Sequence, residues 1–148
     1  MESSDKNFIY RQIILSHYQN PENKYKFDTK LTKRHNSESC IDDITFYIKV
    51  NKKTNVIEKI SFDGIACAIC TSSCDIICNL LKNKNIDNAK NILINYYNMI
   101  FQNKYDKVVL KEANAFEFIY LQPNRINCAT LGPNLINEIL NLNIKKNN

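Results

Sequence analysis

Four of the chain's six cysteines fall within twelve positions of one stretch, SFDGIACAICTSSCDIICNLL, which runs from Ser61 to Leu81. The pattern predicts the end of a strand, a glycine turn at Gly64 and a helix opening near Cys67. At a helix start the first backbone N–H groups are unpaired and the dipole is positive, so a thiolate there is favoured as nucleophile or metal ligand. Cys67 is the first candidate on that ground. Cys70, Cys74 and Cys78 follow at helical steps and share a face with Leu81, opposite a polar stripe of Ser72, Asp75, Asn79 and Lys82. The cysteine face reads as core, and the polar stripe as the outer surface.

The rest of the chain is read around this stretch. Asn7 to Tyr18 is expected to form a helix with Phe8, Ile9, Ile13, Tyr10 and Ile14 on its apolar side, ended at Asn20-Pro21. Pro21 to Ser39 is polar and aperiodic and is read as a surface loop. Asp43 to Val50 and Val56 to Phe62 alternate as strands around turn residues Asn51 to Asn55, which predicts an antiparallel hairpin. Ile86 to Phe101 is a second helix with Ile92, Tyr96, Met99 and Ile100 facing inward. Val108 to Leu121 is a short helical passage carrying Phe116, Phe118 and Ile119, stopped by Pro123. From Arg125 on, Ile126, Leu131, Leu135, Ile139 and Leu140 again have helical spacing, interrupted at Gly132-Pro133, and the tail IKKNN is expected to fray. With no repeat or linker, residues 1–148 are expected to be one α+β domain, a small hairpin-based antiparallel sheet with helices on one face.

A hydrophobic content of 44% is enough for a core. Twenty Lys+Arg against fifteen Asp+Glu give +5, but the lysines are dispersed and not interleaved with aromatics, so a nucleic-acid partner is not expected. The N-terminus, MESSDKNFIYRQIIL, lacks a basic, apolar and small-residue signal sequence. No apolar run nears the about 20 residues that span a bilayer. The expectation is a soluble cytoplasmic protein, with no membrane partner, whose cysteines are reduced and serve metal or sulfur chemistry.

Setting the helix-face thiols aside leaves Cys40, Cys67 and Cys128, each where a loop meets an ordered element. A hairpin brings its two ends together, so Cys40 and Cys67 can meet although 27 positions apart. Asp42 projects on the same side of an extended chain as Cys40. Three thiolates and one weaker, displaceable carboxylate are a workable tetrahedral set for Zn²⁺. His35 is a rival ligand because imidazole binds zinc, whereas His17 reads as an ordinary surface or packing residue. Cys67-Ala-Ile-Cys70 also fits C-x-x-C, but the βαβ setting of a thioredoxin-like dithiol is missing. Cys70 stays open as a spare sulfur acceptor.

Five stretches together resemble the SufU branch of the NifU/IscU iron–sulfur cluster assembly family. They are IYRQIILSHYQNPENK, the C-x-D of Cys40 to Asp42, the F-D-G-x-x-C of Phe62 to Cys67, the helix after it, and the P-x-R-x-x-C-A-T-L of Pro123 to Leu131. The long insert between Cys67 and Cys128, and Asn127 in place of a histidine before the last cysteine, are similar to SufU rather than to IscU. The resemblance implies a compact α+β fold that binds Zn²⁺ through Cys40, Asp42, Cys67 and Cys128. It also implies that the protein takes persulfide sulfur from a SufS-type cysteine desulfurase, with Cys40 as acceptor and Arg125 beside the site, for onward delivery to iron–sulfur carrier or acceptor proteins. The alternative it implies is a scaffold on which a transient iron–sulfur cluster is assembled through the same ligands. Ile41 and Ala66 stand where the family usually has glycine. A purely structural zinc role would call for a fourth cysteine in place of Asp42.

Overall fold

The computed structural model describes residues 3–36 and 41–145. In chain order the elements are α1 (Ser3–Gln19), β1 (Leu31–Asn36), β2 (Asp43–Asn51), β3 (Val56–Ile65), α2 (Ala68–Leu81), α3 (Ile86–Ile100), the single turn α4 (Lys107–Leu110) and α5 (Pro123–Leu140). The strands form one antiparallel sheet in the order β1-β2-β3, against which the helices pack, an α+β fold as expected.

The hairpin follows from alternation. Ile44, Phe46 and Ile48 of β2 and Ile57, Ile60 and Phe62 of β3 are buried, and a register shift between Lys49 and Val50 absorbs the break in the β3 pattern. At the turn, the Asn51 Oδ1 accepts the N–H groups of Lys53 and Thr54, and Asn55 takes φ 60°. The segment read as a loop from Pro21 to Ser39 contains β1, which pairs Leu31 with Ile48 through to Asn36 with Asp43. Five of its six residues are exposed, so this edge strand shows no apolar alternation, and pairing with β2 alone defines it. Residues 37–40 lie outside the described residues.

Helix α2 is the centre of the molecule, with eleven of its fourteen residues buried. Cys70, Cys74, Cys78 and Leu81 lie in the core as expected, but the polar stripe does not face water: Ser72 and Asp75 are fully buried. Asp75 is covered by α1 and by the segment after it. Its carboxylate meets the His17 ring at 2.6 Å and accepts the Asn23 backbone N–H at 2.8 Å and the Asn23 side-chain amide at 3.0 Å. A buried carboxylate is tolerable because each oxygen is so satisfied. Helix α1 is longer than its apolar residues indicated, and Phe8 and Ile9 are exposed, since the helix docks instead through His17, Ile13 and Ile14.

Between α3 and α5 the chain forms α4 and two short 3₁₀ turns, Lys111–Phe116 and Ile119–Leu121, which bury Phe116 and Ile119. Pro123 starts α5 rather than merely ending what precedes it, its missing N–H being harmless at the first helical position. Gly132-Pro133 does not interrupt α5. Pro133 cannot donate to the Ala129 carbonyl, and that carbonyl instead accepts the Ser73 hydroxyl at 2.9 Å and the Tyr96 hydroxyl at 2.8 Å. Gly132 lets the helix approach the core: a Cβ there would lie 2.9 Å from the Cys74 sulfur and 3.2 Å from the Phe46 ring. Ile144 is tied to the Asn137 side chain by two hydrogen bonds, so the first residue of the tail is held; 146–148 lie outside the described residues. No described helix is long and apolar enough to cross a membrane.

Candidate metal centre

The β2–β3 hairpin ends by pairing Asp43 with Ile65, which sets Asp42, just before β2, beside Ala66 and Cys67, just after β3. Gly64 is not a turn but a strand residue opposite Ile44, with φ 132°. A Cβ there would lie 1.9 Å from the Asp43 carbonyl oxygen, so only glycine allows the two strands to close at this end.

Cys67 is the N-cap of α2, in extended conformation, and its sulfur accepts the Cys70 N–H at 3.4 Å. Its own N–H donates to the Asp42 Oδ1 at 2.8 Å, and the Asp42 Oδ2 stands 3.9 Å from its sulfur. Cys128, in the second turn of α5, completes a trio whose ligand atoms all lie within 4.8 Å of one another. Donor atoms on a tetrahedron around Zn²⁺ are about 3.3–3.8 Å apart for bonds of about 2.0–2.3 Å. The trio is thus near the spacing a zinc ion needs.

The electrostatics fit a cation as well. Asp42 is 1% exposed, Cys128 is buried and Cys67 half-buried. The Cys128 thiol is pushed up to about 12, first by burial and then by hydrogen bonding to, and the negative charge of, Cys67 and Asp42. The buried Cys128 thiol resists ionising beside Cys67 and Asp42, and a divalent cation would remove that conflict. The donor set of two sulfurs and one carboxylate oxygen therefore suits Zn²⁺, or iron in a thiolate-bound cluster.

The other sequence candidates are placed as follows. Cys40 lies outside the described residues, directly before the exposed Ile41. Arg125 is exposed in the first turn of α5, one turn before Cys128, and makes no ion pair with a described residue. His35 is an exposed residue of the edge strand β1, opposite Ile44 and separated from β3 by β2, and it does not join the trio. Cys70 is buried, and hydrogen bonding to Cys74 together with burial holds its thiol far above the usual range. Of the two readings of His17, surface or packing, the structure shows packing. His17 is 6% exposed, with Asp75 on one ring nitrogen at 2.6 Å and Glu112 on the other at 3.0 Å. Burial opposes its charge, but these two carboxylates outweigh it and raise its pKa above 6.5. Sequence reasoning missed this network because Asp75 and Glu112 are 58 and 95 positions away. The one local signal was Asp75, the acidic residue of the polar stripe on a helix whose other face is core.

Comparison with known proteins supplies the lineage. Residues 9–146 match the NifU-like N terminal domain family. The chain is 30% identical over 124 residues to the zinc-dependent sulfurtransferase SufU of Bacillus subtilis (strain 168), covering 83% of each protein. It is 28% identical over 127 residues to the iron-sulfur cluster assembly scaffold protein IscU of Aquifex aeolicus (strain VF5), covering 85% of this chain and 70% of that one. Its fold is similar to the crystal structure of a putative iron-sulfur cluster assembly scaffold protein for the SUF system from Fervidobacterium islandicum AW-1. The TM-score is 0.81 at 22% identity, over 89% of this chain and 96% of the other. With a match that spans nearly all of its length, and with the fold and the Asp42, Cys67 and Cys128 cluster already described, the chain belongs to the NifU-like N-terminal domain family of iron–sulfur cluster assembly proteins.

Proposed function

We propose that the protein is a zinc-bound sulfur acceptor in iron–sulfur cluster assembly, taking persulfide sulfur from a SufS-type cysteine desulfurase. The observation that carries this reading is the convergence of Asp42, Cys67 and Cys128 from the residue before a strand, a helix cap and a second helix into one largely buried cluster. Cys40, two residues before Asp42, is the fourth ligand in this reading and the acceptor thiol. The curated relative with the name zinc-dependent sulfurtransferase supports the choice of metal and reaction.

Bound Zn²⁺ supplies the positive charge that keeps the thiols of the site deprotonated at neutral pH. The remaining work belongs to the chain. Cys67 is held by its place at the α2 cap, and Cys128 by α5, so neither is free to travel. Asp42 spends Oδ1 on the Cys67 N–H and offers Oδ2 as a single weak ligand atom. Cys40 attacks the outer sulfur of the desulfurase persulfide. A new S–S bond forms on Cys40, the desulfurase S–S bond breaks, and its cysteine leaves as a thiolate. Arg125, on the exposed turn ahead of Cys128, neutralises negative charge on the approaching groups.

The test is cysteine-dependent sulfide release by a SufS-type desulfurase, with mass spectrometry of the acceptor. Wild-type protein should stimulate release and gain about 32 Da per persulfide sulfur, mapped to Cys40. Cys40→Ser should abolish both, and full stimulation by that variant would refute the assignment. A scaffold reading has its own support in the relatives with the name IscU and uses the same ligands. Near-stoichiometric iron with a visible charge-transfer spectrum in protein purified without oxygen, and little zinc, would favour it.

A further inference from the structure

Cys70 is a buried nucleophile that the sulfur-transfer reading does not use. It sits one helical turn from Cys67, and its backbone N–H donates to the Cys67 sulfur at 3.4 Å. From the helical rise and radius, residues three apart in one turn have Cα atoms about 5 Å apart, inside the about 4.4–6.8 Å that a disulfide spans. The two thiols also differ in access: Cys67 is half-buried and Cys70 is 0% exposed. An external reagent can reach the first and not the second.

We propose that Cys67 and Cys70 form a dithiol that reacts with low-molecular-weight disulfides when no metal engages Cys67. The Cys67 thiolate attacks one sulfur of the reagent, forming a mixed disulfide and releasing one thiolate. The Cys70 thiol, giving up its proton, attacks the Cys67 sulfur and releases the second thiolate. The products are a Cys67–Cys70 disulfide and two reduced thiols, so two electrons pass from protein to reagent and no other reactant is needed. Cys128 is a rival partner because its sulfur also lies within 4.8 Å. It belongs to a different helix, however, and the neighbouring Ala129 carbonyl is pinned by Ser73 and Tyr96. A bond to Cys128 would join α5 to α2, whereas a bond from Cys67 to Cys70 closes within one turn of a single helix. The consequence for the metal rests on the zinc reading above: once the disulfide forms, Cys67 has no lone thiolate to give, and the site loses a ligand until it is reduced.

The full-length protein, stripped of metal with a chelator or loaded with Zn²⁺, is incubated with oxidised glutathione and followed by intact mass and peptide mapping under non-reducing conditions. Metal-free wild type should become about 2 Da lighter, the two hydrogens lost on forming one disulfide, with the bond mapped to Cys67 and Cys70. Cys70→Ser and Cys70→Ala should both stop at a glutathione adduct on Cys67, while Cys74→Ser should behave as wild type. A lasting adduct on wild type, or a bond from Cys67 to Cys128 or Cys40, would overturn the dithiol. Zn²⁺ should slow the reaction about tenfold or more, since a ligated thiolate is a poorer nucleophile. Equal rates with and without zinc, with the disulfide still formed, would overturn protection by metal and count against the zinc reading at Cys67 alone.

Discussion

Asp42 accepts the Cys67 N–H through Oδ1 at 2.8 Å and holds Oδ2 3.9 Å from the Cys67 sulfur. One carboxylate thus ties the start of β2 to the cap of α2 and presents an oxygen beside a thiol. Asp42→Ala should remove both roles. We expect zinc affinity to fall about 10–100-fold and stability to fall by about 1–2 kcal/mol, since the Cys67 N–H loses its partner. Zinc competition with a chromogenic chelator and urea unfolding measure the two separately. Unchanged zinc affinity would remove Asp42 from the ligand set.

The cysteines divide by position. Cys67→Ser and Cys128→Ser should lose zinc and melt several degrees lower, because metal binding energy is also folding energy. Cys74→Ala and Cys78→Ala should keep the metal and lose about 1 kcal/mol of packing, both thiols being fully buried in the core. Elemental analysis beside thermal melts decides this. Loss of metal in Cys74→Ala would show that the division is wrong.

Zinc binding should strengthen as pH rises. The Cys128 thiol, pushed up to about 12, is protonated in the metal-free protein at neutral pH, so the ion must displace its proton. Apparent affinity should rise about tenfold per pH unit for each proton released. Chelator competition between pH 6 and 8 reads the slope, and a flat profile would mean that no protonated thiol enters the site.

His17 ties α1 to α2 and to the 3₁₀ turn through Asp75 and Glu112. Its raised pKa means that the folded state holds the proton more tightly than the unfolded chain. The stabilisation is fully present below about pH 6.5 and is lost as pH rises through the folded value. His17→Gln should cost about 2 kcal/mol at pH 6 and less at pH 9. Urea unfolding at both pH values checks the sign, and a gap that widens with pH would contradict it.

The candidate site was legible in the sequence to the extent that its residues sit where local pattern changes. Cys67 follows a strand and opens a helix, Cys128 follows a proline that starts one, and Asp42 precedes an alternating strand. A hairpin must bring its ends together, so the approach of Asp42 and Cys67 followed from the pattern of β2 and β3 alone. The core face of α2 and the inward residues of α3 were likewise carried by helical periodicity.

Tertiary structure decided what periodicity cannot express. Strand β1 has a sequence with no apolar alternation and exists because β2 offers hydrogen-bonding partners to an edge. Asp75 looked solvent-facing and His17 an ordinary surface or packing residue because polarity is a local property, whereas their satisfaction depends on three segments meeting. Gly132-Pro133 looked like a break because a proline removes a helical hydrogen bond. That α5 continues through it was settled by Ser73 and Tyr96, which reach the Ala129 carbonyl from two other helices. Residue order set the local conformations and the chemistry of each side chain, and long-range contacts determined which polar groups find partners out of water.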